Sequence, residues 1–155
     1  MTLTQNETVT HRTFSIERTY PVSPARVFAA FADPVVKRRW FVDGEGWDID
    51  EYTSDFRIGG YEISRFRFEG GPPISNDTLY LDIVPEQRLI FSYTMALSGA
   101  IFSASLATIT FAATDAGTRM VYTEQGTFIG DPEQAVGRET GCQELLDKLG
   151  AELAA

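Results

Sequence analysis

The sequence predicts an α+β domain in which a curved antiparallel sheet wraps one long C-terminal helix. Three observations predict it. Helix-start pairs stand at Ser23-Pro24, Asp33-Pro34 and Asp131-Pro132, each with a capping side chain followed by a proline suited to the first turn. Between Trp47 and Gln125 the chain is a succession of strand-like segments separated by turn residues. After the last Asp-Pro pair comes a single amphipathic stripe. The predicted order is strand, helix, helix, six strands, helix.

Residues 1–12 are polar and aperiodic and read as a flexible tail, which leaves 13–155 as one domain. From Thr13 the pattern alternates, with Phe14, Ile16 and Tyr20 on one side and Ser15 and Glu17 on the other. That period of two predicts a half-buried strand, which Pro21 ends. Val27, Phe28 and Phe31 then give a short helical stripe. Asp33-Pro34 restarts a second helix that runs to about Trp40, since a residue before proline avoids helical geometry. Lys37-Arg38-Arg39 on this helix reads as a solvated face.

Gly59-Gly60, Gly70-Gly71-Pro72-Pro73, Pro85-Glu86-Gln87, Ser98-Gly99 and Asp115-Ala116-Gly117 divide the middle of the chain into six strands. Local connections make them mostly antiparallel. Ala104–Ala113 is alanine-rich, but Thr108-Ile109-Thr110-Phe111 favours a strand. In the last helix Cys142, Leu145, Leu146, Leu149 and Leu153 recur at intervals of three and four, while Gln143, Glu144, Asp147 and Lys148 face away.

This order implies a hollow. Seven strands at ~4.8 Å spacing make a sheet about 34 Å wide. One helix with its side chains is only ~10–12 Å across. The sheet must curl, and the remaining volume is either filled by large side chains or left as a pocket. Eleven Phe, six Tyr and two Trp can serve either purpose. Leu89, Phe91, Tyr93 and Met95 share one face of their strand; Ile109 and Phe111 share another, and Met120, Tyr122 and Glu124 a third. Facing Cys142 and Leu146 they would form an apolar chamber with a few polar groups, the usual construction of a small-molecule site. With Trp40, Phe41, Glu62 and Phe66, the candidate ligand-binding set is Trp40, Phe41, Glu62, Phe66, Phe91, Tyr93, Ile109, Tyr122, Glu124, Cys142 and Leu146.

Composition excludes several classes. A net charge of −9 argues against nucleic acid, whose phosphates need clustered Lys and Arg, and against anionic membrane surfaces. One Cys and one His leave no intrachain disulfide and no His/Cys metal set, which suits a reducing cytoplasm. The N-terminus has no signal-peptide pattern, and no apolar run reaches the ~18–20 residues of a membrane span. Cys142, on an apolar face without an evident base, reads as a structural thiol. Nothing calls for a cofactor, and no catalytic residue is assigned. A desolvated Glu124 or Glu62 would be the one candidate general acid or base.

Several segments match a known family. Val22-Ser23-Pro24-Ala25-Arg26-Val27-Phe28, Asp33-Pro34 and Arg39-Trp40-Phe41 resemble the opening of START-like (SRPBCC) helix-grip proteins. Asp55-Phe56-Arg57-Ile58-Gly59-Gly60 resembles their Asp-Leu-Arg-x-Gly-Gly strand start, and Ile83–Phe91 their proline hairpin. Gly141–Leu149 is similar to the final-helix Gly-Trp-x-x-x-Leu-Asp-x-Leu, with Cys142 where many relatives carry Trp. In order, these motifs resemble the branch related to the C-terminal domain of the heat-shock protein 90 ATPase activator. The resemblance implies a helix-grip fold and a cavity for a small hydrophobic ligand. A polyketide-cyclase or hydrolase-like enzyme is the alternative. An activator-like chaperone partner is the least favoured, because the eukaryotic activator has an additional N-terminal domain not seen here. Exposed edge strands also permit a homodimer.

Overall fold

The computed structural model describes residues 7–155. Strand β1 (Val9–Tyr20) leads into α1 (Pro24–Ala32) and the single-turn α2 (Pro34–Lys37). A π-helical turn (Arg38–Val42) follows, then β2 (Trp47–Ser54), β3 (Tyr61–Phe68), β4 (Ile74–Val84), β5 (Arg88–Leu97), β6 (Ala100–Thr114) and β7 (Gly117–Ile129). The last element is α3 (Glu133–Ala154). The strands form one antiparallel sheet in the order β1-β7-β6-β5-β4-β3-β2. No helix among the described residues is long and apolar enough to cross a membrane.

The helix starts follow the expected chemistry. Ser23 Oγ accepts from Arg26 N at 3.3 Å, and Asp33 Oδ1 accepts from Val35 N at 3.0 Å. Asp131 Oδ1 accepts from Glu133 N at 2.9 Å and so caps α3 across Pro132. The β5–β6 turn has positive φ at both Ser98 and Gly99 (49° and 83°), the arrangement whose twist suits a two-residue hairpin. Irregular register at Ile49/Glu51, Tyr80/Asp82 and Met95/Ala96 supplies bulges that bend the sheet.

Three expectations change. Strand β1 begins at Val9 rather than Thr13, because Val9–Arg12 pair in register with Gly126–Ile129. An edge strand tolerates polar side chains, and Arg12 reaches Glu139 of α3 at 2.6 Å. His11 therefore lies on a strand, beside Thr127. Of the expected tail, residues 1–6 lie outside the described residues. The second helix ends at Lys37 and passes into the π turn, which carries Trp40 into the core with its Nε1 donating to Ala30 O at 3.0 Å. Lys37 itself is buried, not solvated.

α3 does not lie centrally on the sheet. It packs beside β1, β7, α1 and the π turn. Tyr20 Oη donates to Leu146 O at 2.7 Å, fastening β1 to the middle of the helix. Gly150 lets the Tyr20 ring approach, since a Cβ there would stand 3.3 Å from Cε1. Phe28, Phe31, Phe56, Trp40 and Phe111 plug one end with edge-to-face contacts, such as Phe31 to Trp40 at 5.1 Å. The aromatics therefore fill one end solidly, while β3 to β5 stand off from α3 and leave a space.

Candidate functional site

That space is a cavity of about 620 Å³ between the sheet and α3. Its walls are mainly apolar: Phe31, Trp40, Phe41, Phe66, Phe91, Met95, Phe102, Leu145 and Leu146 all contribute. Inward-facing residues alternate along each strand, so β3 presents Ser64 and Phe66, β4 Asn76 and Thr78, and β5 Phe91, Tyr93 and Met95. Trp47 stands at the rim, half-exposed, with its ring 5.4 Å from that of Phe66 and 4.8 Å from that of Phe68.

Two buried carboxylates stand behind the walls. Glu62 accepts from Lys37 Nζ at 2.7 Å, Tyr52 Oη at 3.0 Å and Tyr80 Oη at 3.1 Å. The Lys37 ammonium lies 4.6 Å from the Phe41 ring centroid. Burial alone would lower the Lys37 pKa, but the Glu62 carboxylate and Tyr80 outweigh it and hold the pKa above its ordinary value. Lys37 is thus a permanent cation whose charge is matched on the spot.

Glu124 is fully buried on β7 and accepts from Tyr93 Oη at 2.8 Å, Tyr122 Oη at 2.6 Å and Ser105 Oγ at 2.9 Å. Arg138 Nη1 lies 3.5 Å from the carboxylate and donates to Tyr93 Oη at 2.9 Å, while Nη2 donates to Ser103 Oγ at 2.8 Å. Cys142 Sγ lies 3.7 Å from Glu124 Oε1. Burial, and then the Glu124 charge, pushes the Cys142 thiol up to about 12 and the Tyr93 hydroxyl well above its ordinary value. Tyr122 is raised too, by burial first. All three stay protonated at neutral pH and act as donors. A carboxylate offers about four acceptor positions. Those of Glu124 are occupied, so it has no lone pair directed into the cavity for a reacting group.

Of the residues singled out in the sequence, Trp40, Phe41, Phe66, Phe91, Tyr93, Tyr122, Cys142 and Leu146 line the cavity together. Glu62 and Glu124 lie one layer behind, each reaching it through a partner. Ile109 is fully buried in the packed core, not on the wall. Sequence reasoning missed Lys37 and Arg138. Arg138 had a signal, because it precedes Cys142 by four residues and so falls on the same helical face.

The comparisons with known proteins agree with this fold. A family model described as activator of Hsp90 ATPase homolog 1-like protein matches residues 21–154. Among solved structures, a Rhizobium loti protein is 52% identical with a TM-score of 0.86, covering 94% of this chain and 99% of its own. A protein from Rhizobium leguminosarum is 37% identical with a TM-score of 0.91, covering 97% and 99%. A protein described as AHSA1-like from Aeromonas hydrophila, 19% identical with a TM-score of 0.69 and 92% of each chain covered, shares the fold. No curated protein matches the chain. With the family match spanning all but its first strand, the chain belongs to the activator of Hsp90 ATPase homolog 1-like family, on the START-like helix-grip fold.

Proposed function

We propose that the protein binds a small hydrophobic molecule in the cavity between β3–β5 and α3. The observation that carries this reading is the cavity itself, about 620 Å³ and walled mainly by aromatic and aliphatic side chains. That volume falls within the roughly 300–1,000 Å³ range of small-molecule sites. The alternative, acid–base turnover through Glu124, has weaker support because its oxygens already accept three hydroxyl bonds. A chaperone-activating role rests on the family description alone.

Thermal unfolding against a library of hydrophobic metabolites tests the reading, since native-state binding raises the melting temperature by mass action. A ligand at 100 times its Kd adds about 2.7 kcal/mol, a shift of several degrees for a domain of this size. Cys142→Trp places an indole in the chamber from α3 and should abolish the shift while the protein still folds. A broad library without any shift, or a shift that survives Cys142→Trp unchanged, would count against the cavity as the site.

A further inference from the structure

The cavity holds two kinds of polar group, and they differ in whether they are already engaged. Lys37 and Arg138 are committed to Glu62 and Glu124. The hydroxyls of Tyr93 and Tyr122 are committed to Glu124. On the opposite wall, Ser64 of β3 and Thr78 of β4 are each only 4% exposed and line the cavity. Their hydroxyls bond to no other protein group among the described residues, and neither is sealed from the cavity. Asn76 lies beside them, paired with Ser64 in the β3–β4 register, as Thr78 is paired with Glu62. Asn76 also lines the cavity, and its amide oxygen Oδ1 is buried without a hydrogen-bond partner. Three neutral hydrogen-bonding side chains thus form one patch on an otherwise apolar wall. Buried polar groups are ordinarily hydrogen-bonded, so this patch is where a ligand's polar group gains most.

Charge decides what that group is. Lys37 beside the patch is already neutralised by Glu62 at 2.7 Å, so a carboxylate on the ligand would be buried close to another carboxylate. A ligand ammonium would meet the Lys37 ammonium. A neutral group that both donates and accepts satisfies hydroxyls and an amide at no charge cost.

Building on the cavity reading, we propose that the ligand is an apolar ring compound bearing a neutral hydroxyl or amide, which hydrogen-bonds to Ser64, Thr78 and Asn76 while its rings lie against Phe91 and Phe41. The test is calorimetric titration at pH 7 with 2-naphthol, 2-methylnaphthalene and 2-naphthoic acid, which share one body and differ in the head group. The expected result is that 2-naphthol binds about tenfold tighter than 2-methylnaphthalene, the worth of one or two neutral hydrogen bonds, and that ionised naphthoate binds weakest. In Ser64→Ala/Thr78→Val, the preference for naphthol should vanish while 2-methylnaphthalene binds at least as well as before. The retained hydrocarbon affinity shows that the variant is folded. Equal affinity for naphthol and methylnaphthalene in the wild type overturns the head-group assignment and leaves the cavity reading standing. Tightest binding of naphthoate overturns it in favour of an anion read by Lys37 or Arg138. Binding of none of the three overturns both readings.

Discussion

Glu62 and Glu124 are both buried carboxylates on the concave face of the sheet, but they are held differently. Glu62 has an ammonium in direct contact at 2.7 Å, supported by two tyrosines. Glu124 has three hydroxyls in contact and its cation, Arg138, 3.5 Å away. One is a tight ion pair; the other is a hydroxyl cage with a charge beside it. The first depends on one partner, and the second spreads its dependence over several. That difference sets how each pole responds to change.

Alkaline pH gives the largest expected effect, and it bears on both poles. In the folded state the Cys142 thiol is raised from about 9 to about 12, mainly by burial, and the Tyr52, Tyr80, Tyr93 and Tyr122 hydroxyls are raised above their ordinary value of 10. Folding therefore favours the protonated forms. Their stabilising contribution is complete below about pH 9 and is lost as pH rises through 10 to 12, where the unfolded chain ionises first. Urea midpoints from pH 7 to 12 should be level to about pH 9 and then fall steeply toward complete unfolding. Cys142→Ala should flatten only the first part of that fall. A midpoint independent of pH across the range would contradict the burial of these groups.

The next largest effect belongs to the ion pair. Lys37→Met removes the cation and leaves Glu62 buried with hydroxyl partners only, a change that typically costs about 3–5 kcal/mol. Adding Glu62→Leu should return most of that loss, because the uncompensated charge goes with it. Equilibrium denaturation of both variants at pH 7 measures the two steps. If Glu62 depended on its tyrosines as Glu124 does, the single variant would cost little and the double variant would recover nothing.

The contrast also shows what could be read from sequence. Period-two alternation placed Glu124 on the same strand face as Met120 and Tyr122, and in the structure all three are buried inward. The strand count and the Pro-initiated helices likewise followed from local chemistry. Lys37 did not, because α2 is a single turn and four residues define no face. The π turn that follows changes the angular spacing, so a helical wheel drawn through Lys37-Arg38-Arg39 misplaces Lys37, which is buried. Arg38 and Arg39 do pair on the surface, with Asp43 and Glu152. The cavity patch was hidden for another reason. Ser64, Asn76 and Thr78 are ordinary small polar residues on strands, and only the offset of α3 toward β1 and β7 uncovers them. That offset depends on long-range contacts, such as Tyr20 Oη to Leu146 O, which no local pattern encodes.

The smallest predicted effect tests whether the Glu124 cage truly shares its load. Ser105→Ala deletes one of three hydroxyl donors, at 2.9 Å from Oε2, and leaves Tyr93, Tyr122 and Arg138 in place. Bonds to charged groups are worth about 1.5–3 kcal/mol when their loss strands a partner. Here Oε2 keeps a bond from Tyr93 at 2.9 Å and the nearby guanidinium, so the cost should be lower, about 1 kcal/mol. Tyr52→Phe is the matching deletion at the other pole, removing a 3.0 Å bond from Glu62 Oε1 that Tyr80 also serves. It should cost a similar amount, because in both cases a second hydroxyl remains on the carboxylate. Urea denaturation of the two variants, run side by side, should therefore give near-equal losses, both far below that of Lys37→Met. A Ser105→Ala loss as large as the lysine's would show that the cage works as a single unit, each donor holding the others in place, and the distinction between the two poles would then be one of geometry and not of energy.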